Sequence, residues 1–185
     1  MKKLFVLAVA CMASVFTYAD VELKSGSVTD LKNPEARVLV TWDYDEMLIE
    51  GKSVDDFLAE KGSDWQKDYP SEVSASELAF GKVFNKKCKK FAKITDEAAD
   101  AQYVFVIHVK KFNYGSTAAA VMLGGYARGA YVEGTVEVVS KANREVIAIV
   151  DFDCSGQSSY SNEQRRILAF MDFASDLAKL INKAK

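Results

Sequence analysis

One segment constrains this chain more than any other: Gln102–Phe112, which contains the run Tyr103-Val-Phe-Val-Ile-His-Val-Lys-Lys-Phe112. Alternation puts Tyr103, Phe105, Ile107 and Val109 on one face and Val104, Val106, His108, Lys110 and Phe112 on the other. It is the strongest strand in the chain. A strand this apolar is stable only inside a sheet that has a second layer packed against it.

The rest of the chain supplies both layers. Asp20–Val28 reads as a short edge strand, and Arg37–Tyr44 as a strand with Val38, Val40, Trp42 and Tyr44 on one side. Tyr131–Ser140 and Val146–Cys154 form an antiparallel hairpin across a short polar link, with Val132, Val136 and Val138 facing Val150, Phe152 and Cys154 in the core. Ser53 caps a short helix, Val54–Lys61, that Gly62 stops. A long helix is expected over Ser71–Lys93, with Val73, Phe80, Val83, Phe84 and Phe91 in one stripe and Cys88 at its edge. A second, Asn162–Ala184, buries Ile167, Met171, Ala174, Leu177, Ala178 and Ile181 behind the cap Ser161. The expected fold is α+β: a mostly antiparallel, short-stranded sheet of about five strands, with two long helices and one short helix on one face.

The N-terminus addresses the chain. Lys2 and Lys3 precede the apolar run Leu4–Phe16, and Thr17-Tyr18-Ala19 offers small residues before Asp20. That order is a secretory signal, so residues 1–19 are expected to be removed and 20–185 to form one domain. Ala8-Val9-Ala10-Cys11 is a weaker lipoprotein-type box, which makes Cys11 a candidate lipidation site and the only route to a membrane. The expected location is the periplasm or the outer membrane. There an even pair of cysteines, Cys88 and Cys154, is a candidate disulfide; two buried thiols are the alternative.

Composition and motifs exclude several functions. A formal net charge of −2 offers nucleic acid no electrostatic reason to bind. His108 is the sole histidine, which rules out zinc sites needing two or three imidazoles, and no nucleophile elbow or C-x-x-C pair is present. The Gly- and Ala-rich stretch Gly115–Gly129 looks like a phosphate loop at Gly124-Gly125, yet no Lys-Ser/Thr follows and it runs into a strand. Its small and apolar side chains suit a partner-facing surface built from Gly115, Val121, Met122, Leu123, Tyr126 and Arg128.

Lys111-Phe-Asn-Tyr-Gly-Ser-Thr-Ala118, Gly124-Gly-Tyr-Ala-Arg-Gly129 and Val136-Glu-Val-Val-Ser-Lys-Ala-Asn-Arg-Glu-Val-Ile-Ala148 together resemble a family of bacterial envelope proteins and lipoproteins of unknown function. The hairpin tip here is Ser140-Lys-Ala-Asn-Arg144, without the acidic and glycine positions of that family. The resemblance implies a small α/β domain of the kind seen in curli-secretion lipoproteins and in the N-terminal domain of TolB-like proteins, with no catalytic residues to transfer.

The leading expectation is therefore a non-enzymatic envelope protein without cofactor, whose partner is another envelope protein or surface component. The alternative is a carboxylate-based hydrolase or Ca²⁺-dependent glycan binder. It would use Glu133, Glu137, Asp151 and Asp153, which alternation places on the outer face of the hairpin.

Overall fold

The computed structural model of the protein describes residues 21–88, 90–116 and 128–185. The strands are β1 (Val21–Gly26), β2 (Arg37–Asp43), β3 (Leu48–Ile49), β4 (Lys52–Ser53), β5 (Lys93–Ile94), β6 (Tyr103–Asn113), β7 (Arg128–Ser140) and β8 (Val146–Gln157). The helices are α1 (Val54–Lys61), α2 (Ser63–Lys87) and α3 (Asn162–Lys183). The leader and Cys11 lie outside the described residues.

The strands join in one eight-stranded sheet of order β1-β8-β7-β6-β2-β5, with β3 also against β6 and β4 against β3. The sheet is larger than expected and mixed. β1, β8, β7 and β6 pair antiparallel, whereas β2 runs parallel to both β6 and β5, and β3 parallel to β6. The three added strands are two residues each, too short to leave a period in the sequence. Parallel sense could not be read from strand patterns either. It follows from the crossover through α1 and α2, which returns the chain to the same end of the sheet.

Core parity is as expected along the hairpin: Val132, Val136, Val138, Val150, Phe152 and Cys154 are buried. On β6 it holds for Phe105, Ile107 and Val109, and then reverses. A β-bulge between Val109 and Lys111 leaves Lys110 and Lys111 both exposed and turns Phe112, and beyond it Tyr114, into the core. Phe112 thus leaves the outer face that alternation had assigned it.

Both long helices also differ from expectation. α2 starts at Ser63 and carries Pro70 inside it, although proline removes the hydrogen bond to the Gln66 carbonyl. The first turns are held by aromatic packing instead: Trp65 meets Phe57 and Tyr114 edge-on at 5.5 and 5.1 Å. The helix ends at Lys87, where the Lys93 ammonium donates to the carbonyls of Asn85 (2.6 Å) and Cys88 (2.8 Å). On α3 Ala174, Leu177, Ala178 and Ile181 are buried as expected, whereas in its first half the buried positions are Arg165, Arg166, Ala169, Phe170 and Phe173, with Ile167 and Met171 only half-buried. Phe173 stacks on Phe152 at 3.9 Å.

Gly134 shows how tightly the bulge is fitted. A Cβ there would lie 2.1 Å from the His108 carbonyl oxygen and 2.7 Å from Cζ of Phe152. At Gly81, in the middle of α2, the nearest atom is 3.9 Å away. Gly134→Ala is expected to destabilise the fold by about 1–3 kcal/mol or more. Gly81→Ala should instead stabilise it by roughly 0.5–1 kcal/mol through helix propensity. Urea denaturation of the two variants measures both signs.

Candidate functional site: a groove along the open edge of the sheet

β2 is paired along its whole length on one side only. Against β6 it runs from Val38 to Asp43; against β5 it pairs only at Arg37 and Val38. The Val38 carbonyl accepts from Thr95 on the β5 side, whereas Arg37 accepts from Gln102 on the β6 side. Alternation therefore turns the N–H and C=O of Val40 and Trp42 away from β6. No strand among the described residues meets them there.

Beside this edge lies a cavity of about 400 Å³ whose walls include Leu39, Val40 and Trp42 of β2, Leu78 and Lys82 of α2, and Asp96. A second cavity of about 430 Å³ adjoins it, sharing Ser74 and Glu77 and adding Tyr44, Val54, Tyr69, Pro70 and Val73. Together they form one groove between the sheet edge and α2. Trp42 anchors its floor, edge-on to Phe80 at 5.1 Å and stacked on Tyr44 at 6.1 Å. Leu78 stands on its rim at 62% exposure.

Behind the Tyr44–Tyr69–Glu77 wall sits Arg166, fully buried. Its guanidinium lies 4.6 Å from the ring centre of Phe112, 5.2 Å from Tyr69 and 5.4 Å from Phe170, so three aromatic faces surround the cation. Nε lies 3.4 Å from the Ser76 hydroxyl oxygen, while Nη1 and Nη2 find no hydrogen-bond acceptor among the described residues. Two carboxylates flank the cation. Glu77 accepts from the Tyr44 hydroxyl at 2.9 Å and Glu72 from the Tyr114 hydroxyl at 2.8 Å. Burial pushes both carboxyls above their ordinary pKa, outweighing the opposing pull of the tyrosine hydroxyls and of Arg166. Arg165 is turned elsewhere, donating to the carbonyls of Tyr114 (3.0 Å) and Gly115 (3.2 Å).

Among the described residues, those singled out from sequence lie apart from this groove. On the outer sheet face Glu133 is directly opposite Asp153, but Asp151 faces Thr135 and Glu137 faces Ile149. Lys111 pairs with Glu133 at 2.9 Å and Lys24 with Asp151 at 3.4 Å. Among the described residues no three His, Cys, Asp or Glu side chains are grouped to hold a metal ion. His108 pairs with Asp43 at 2.6 Å; the Asp45 amide and then His108 hold the Asp43 carboxyl below its ordinary pKa. Of the Gly-rich stretch, Gly115 sits at φ +72° and the Arg128 backbone pairs with Gln157; Val121, Met122, Leu123 and Tyr126 lie outside the described residues. The candidate disulfide is not formed, and Cys88 and Cys154 are two buried thiols. Cys88 at the end of α2 faces Ala178 and Asn182 of α3, Cys154 lies in β8 opposite Val132, and burial raises the Cys88 thiol to about 11.

No protein-family model matches the chain, and no curated protein does. Among solved structures it is similar to the PelC dodecamer from Paraburkholderia phytofirmans, at 15% identity and a TM-score of 0.47 over 86% of this chain and 97% of that one. A point variant of the same PelC dodecamer in another crystal form gives 15% identity and a TM-score of 0.45, over 85% and 97%.

The raised carboxyls of Glu72 and Glu77 carry a pH signature. A carboxyl whose pKa is higher folded than unfolded contributes stability that is complete below its unfolded pKa and is lost as pH rises through the folded value. Replacing Glu72 and Glu77 by Gln should therefore remove a component of stability that declines from pH 4 towards neutrality. Thermal melts of both proteins across that interval check it, the native chain losing ground to the variant as pH rises.

Proposed function

We propose that this chain is a non-enzymatic interaction protein of the cell envelope, and that its working surface is the groove between β2 and α2, which takes an extended segment of a partner protein as an added strand. The observation that carries the reading is the edge itself. Val40 and Trp42 present backbone donors and acceptors that no strand among the described residues pairs, next to an apolar trough, and such edges are normally blunted by charge, proline or a covering element. Strand addition uses those backbone groups for affinity and the trough for side-chain selection. The leader-like Met1–Ala19 and the resemblance to envelope lipoproteins support the location.

A photo-crosslinking amino acid at position 78, on the rim of the groove, is expected to give a discrete protein adduct in envelope-bearing cells. The same amino acid at position 146, exposed at the far end of the hairpin, should give none. Val40→Pro deletes an outward N–H without breaking the ladder to β6, and should abolish the adduct while the protein still melts cooperatively. Equal adducts at positions 78 and 146, or an adduct at 78 unaffected by a folded Val40→Pro protein, would contradict the proposal.

A further inference from the structure

The groove's side-chain specificity rests on the strand-addition reading and goes one step beyond it. We infer that the Tyr44–Tyr69–Glu77 end of the groove is a pocket for a lysine or arginine side chain of the docked segment. The first ground is charge. Arg166 is the one cation behind the pocket wall among the described residues, and it is shared between Glu72 and Glu77, while Arg165 donates to the Tyr114 and Gly115 carbonyls. Asp68 and Glu163 add further negative charge on the Glu72 side. A buried carboxylate at Glu72 and a half-buried one at Glu77, incompletely compensated, favour an incoming cation.

The second ground is shape and chemistry. The pocket walls include Tyr44, Val54, Tyr69, Pro70 and Val73, with Ser74 beside them and Glu77 the one carboxylate among the described residues. A long basic side chain matches this pattern, because its methylene stem packs on apolar and aromatic walls while its charged head reaches the acid. An acidic side chain would meet Glu77 directly, and a short polar one would leave the walls wet. At the opposite end of the groove Lys82 and Asp96 are of opposite sign, so selection by charge is concentrated at the Glu77 end.

The test is a selection of random 12-residue displayed peptides on the whole chain, on Glu77→Gln and on Val40→Pro, followed by fluorescence anisotropy with the best synthetic peptide. The expected result is a family of β-prone sequences with one invariant Lys or Arg, whose binding requires the Val40 N–H. Changing that residue to Met should weaken binding about tenfold on the native chain and hardly at all on Glu77→Gln. Peptides that need the Val40 N–H but carry no basic position, or that tolerate Met on the native chain, would overturn the pocket assignment and leave strand addition standing. No enriched peptide, or peptides indifferent to Val40→Pro, would overturn both. Glu77→Gln keeps a hydrogen-bond acceptor for Tyr44, and Leu78→Lys on the groove rim is a second edge variant should Val40→Pro fail to fold.

Discussion

The parallel pairing of β2 with β6 organises the molecule. Two parallel strands cannot be joined by a tight turn, so the chain between them must cross the sheet, and here it does so as α1 and α2. That crossover supplies the helical layer. It also leaves β2 with a neighbour on one side and only the two residues of β5 on the other. The groove is the gap between an edge strand and the helix that had to pass over it.

The buried Arg166 keeps this gap's inner wall in place. It links α3 to α2 through Ser76 and lies against β6 through Phe112, while the tyrosines that hold its two carboxylates come from the end of β2 and from the bulged end of β6. A guanidinium suits the position because its flat faces stack on rings while its edge stays available for polar contacts. The charge also ties packing to specificity, since the Glu77 that faces Arg166 is the carboxylate that faces the groove.

How much of this was legible in the sequence follows from the physics of each element. The hairpin and the first half of β6 obey period two, and their buried residues were readable to the position. Parity failed at Phe112 because a bulge leaves no mark in composition. The start of α2 was missed because Pro70 reads as a stop, and tertiary contacts of Trp65 override it. On α3 the second half of the core stripe was legible and the first half was not, because the burial of Arg166 depends on Tyr69 and Phe112, far away in the chain. The groove was invisible for the same reason: it is made of strand order and pairing sense, with Trp42, Tyr44, Tyr69 and Leu78 as ordinary residues locally. The acidic hairpin face was legible as a cluster of charge met by the neighbouring strand, where His108 lies 4.0 Å from Glu137, but the lysines that pair with it are Lys111 and Lys24.

Residue-resolved amide hydrogen exchange is the most direct trial of the open edge. In the uncomplexed chain the amides of Val40 and Trp42 should exchange orders of magnitude faster than that of Thr41 between them, because Thr41 is bonded into β6 and they meet no strand among the described residues. Uniform protection of all three would mean that something already covers this edge, and the account of the groove would be wrong.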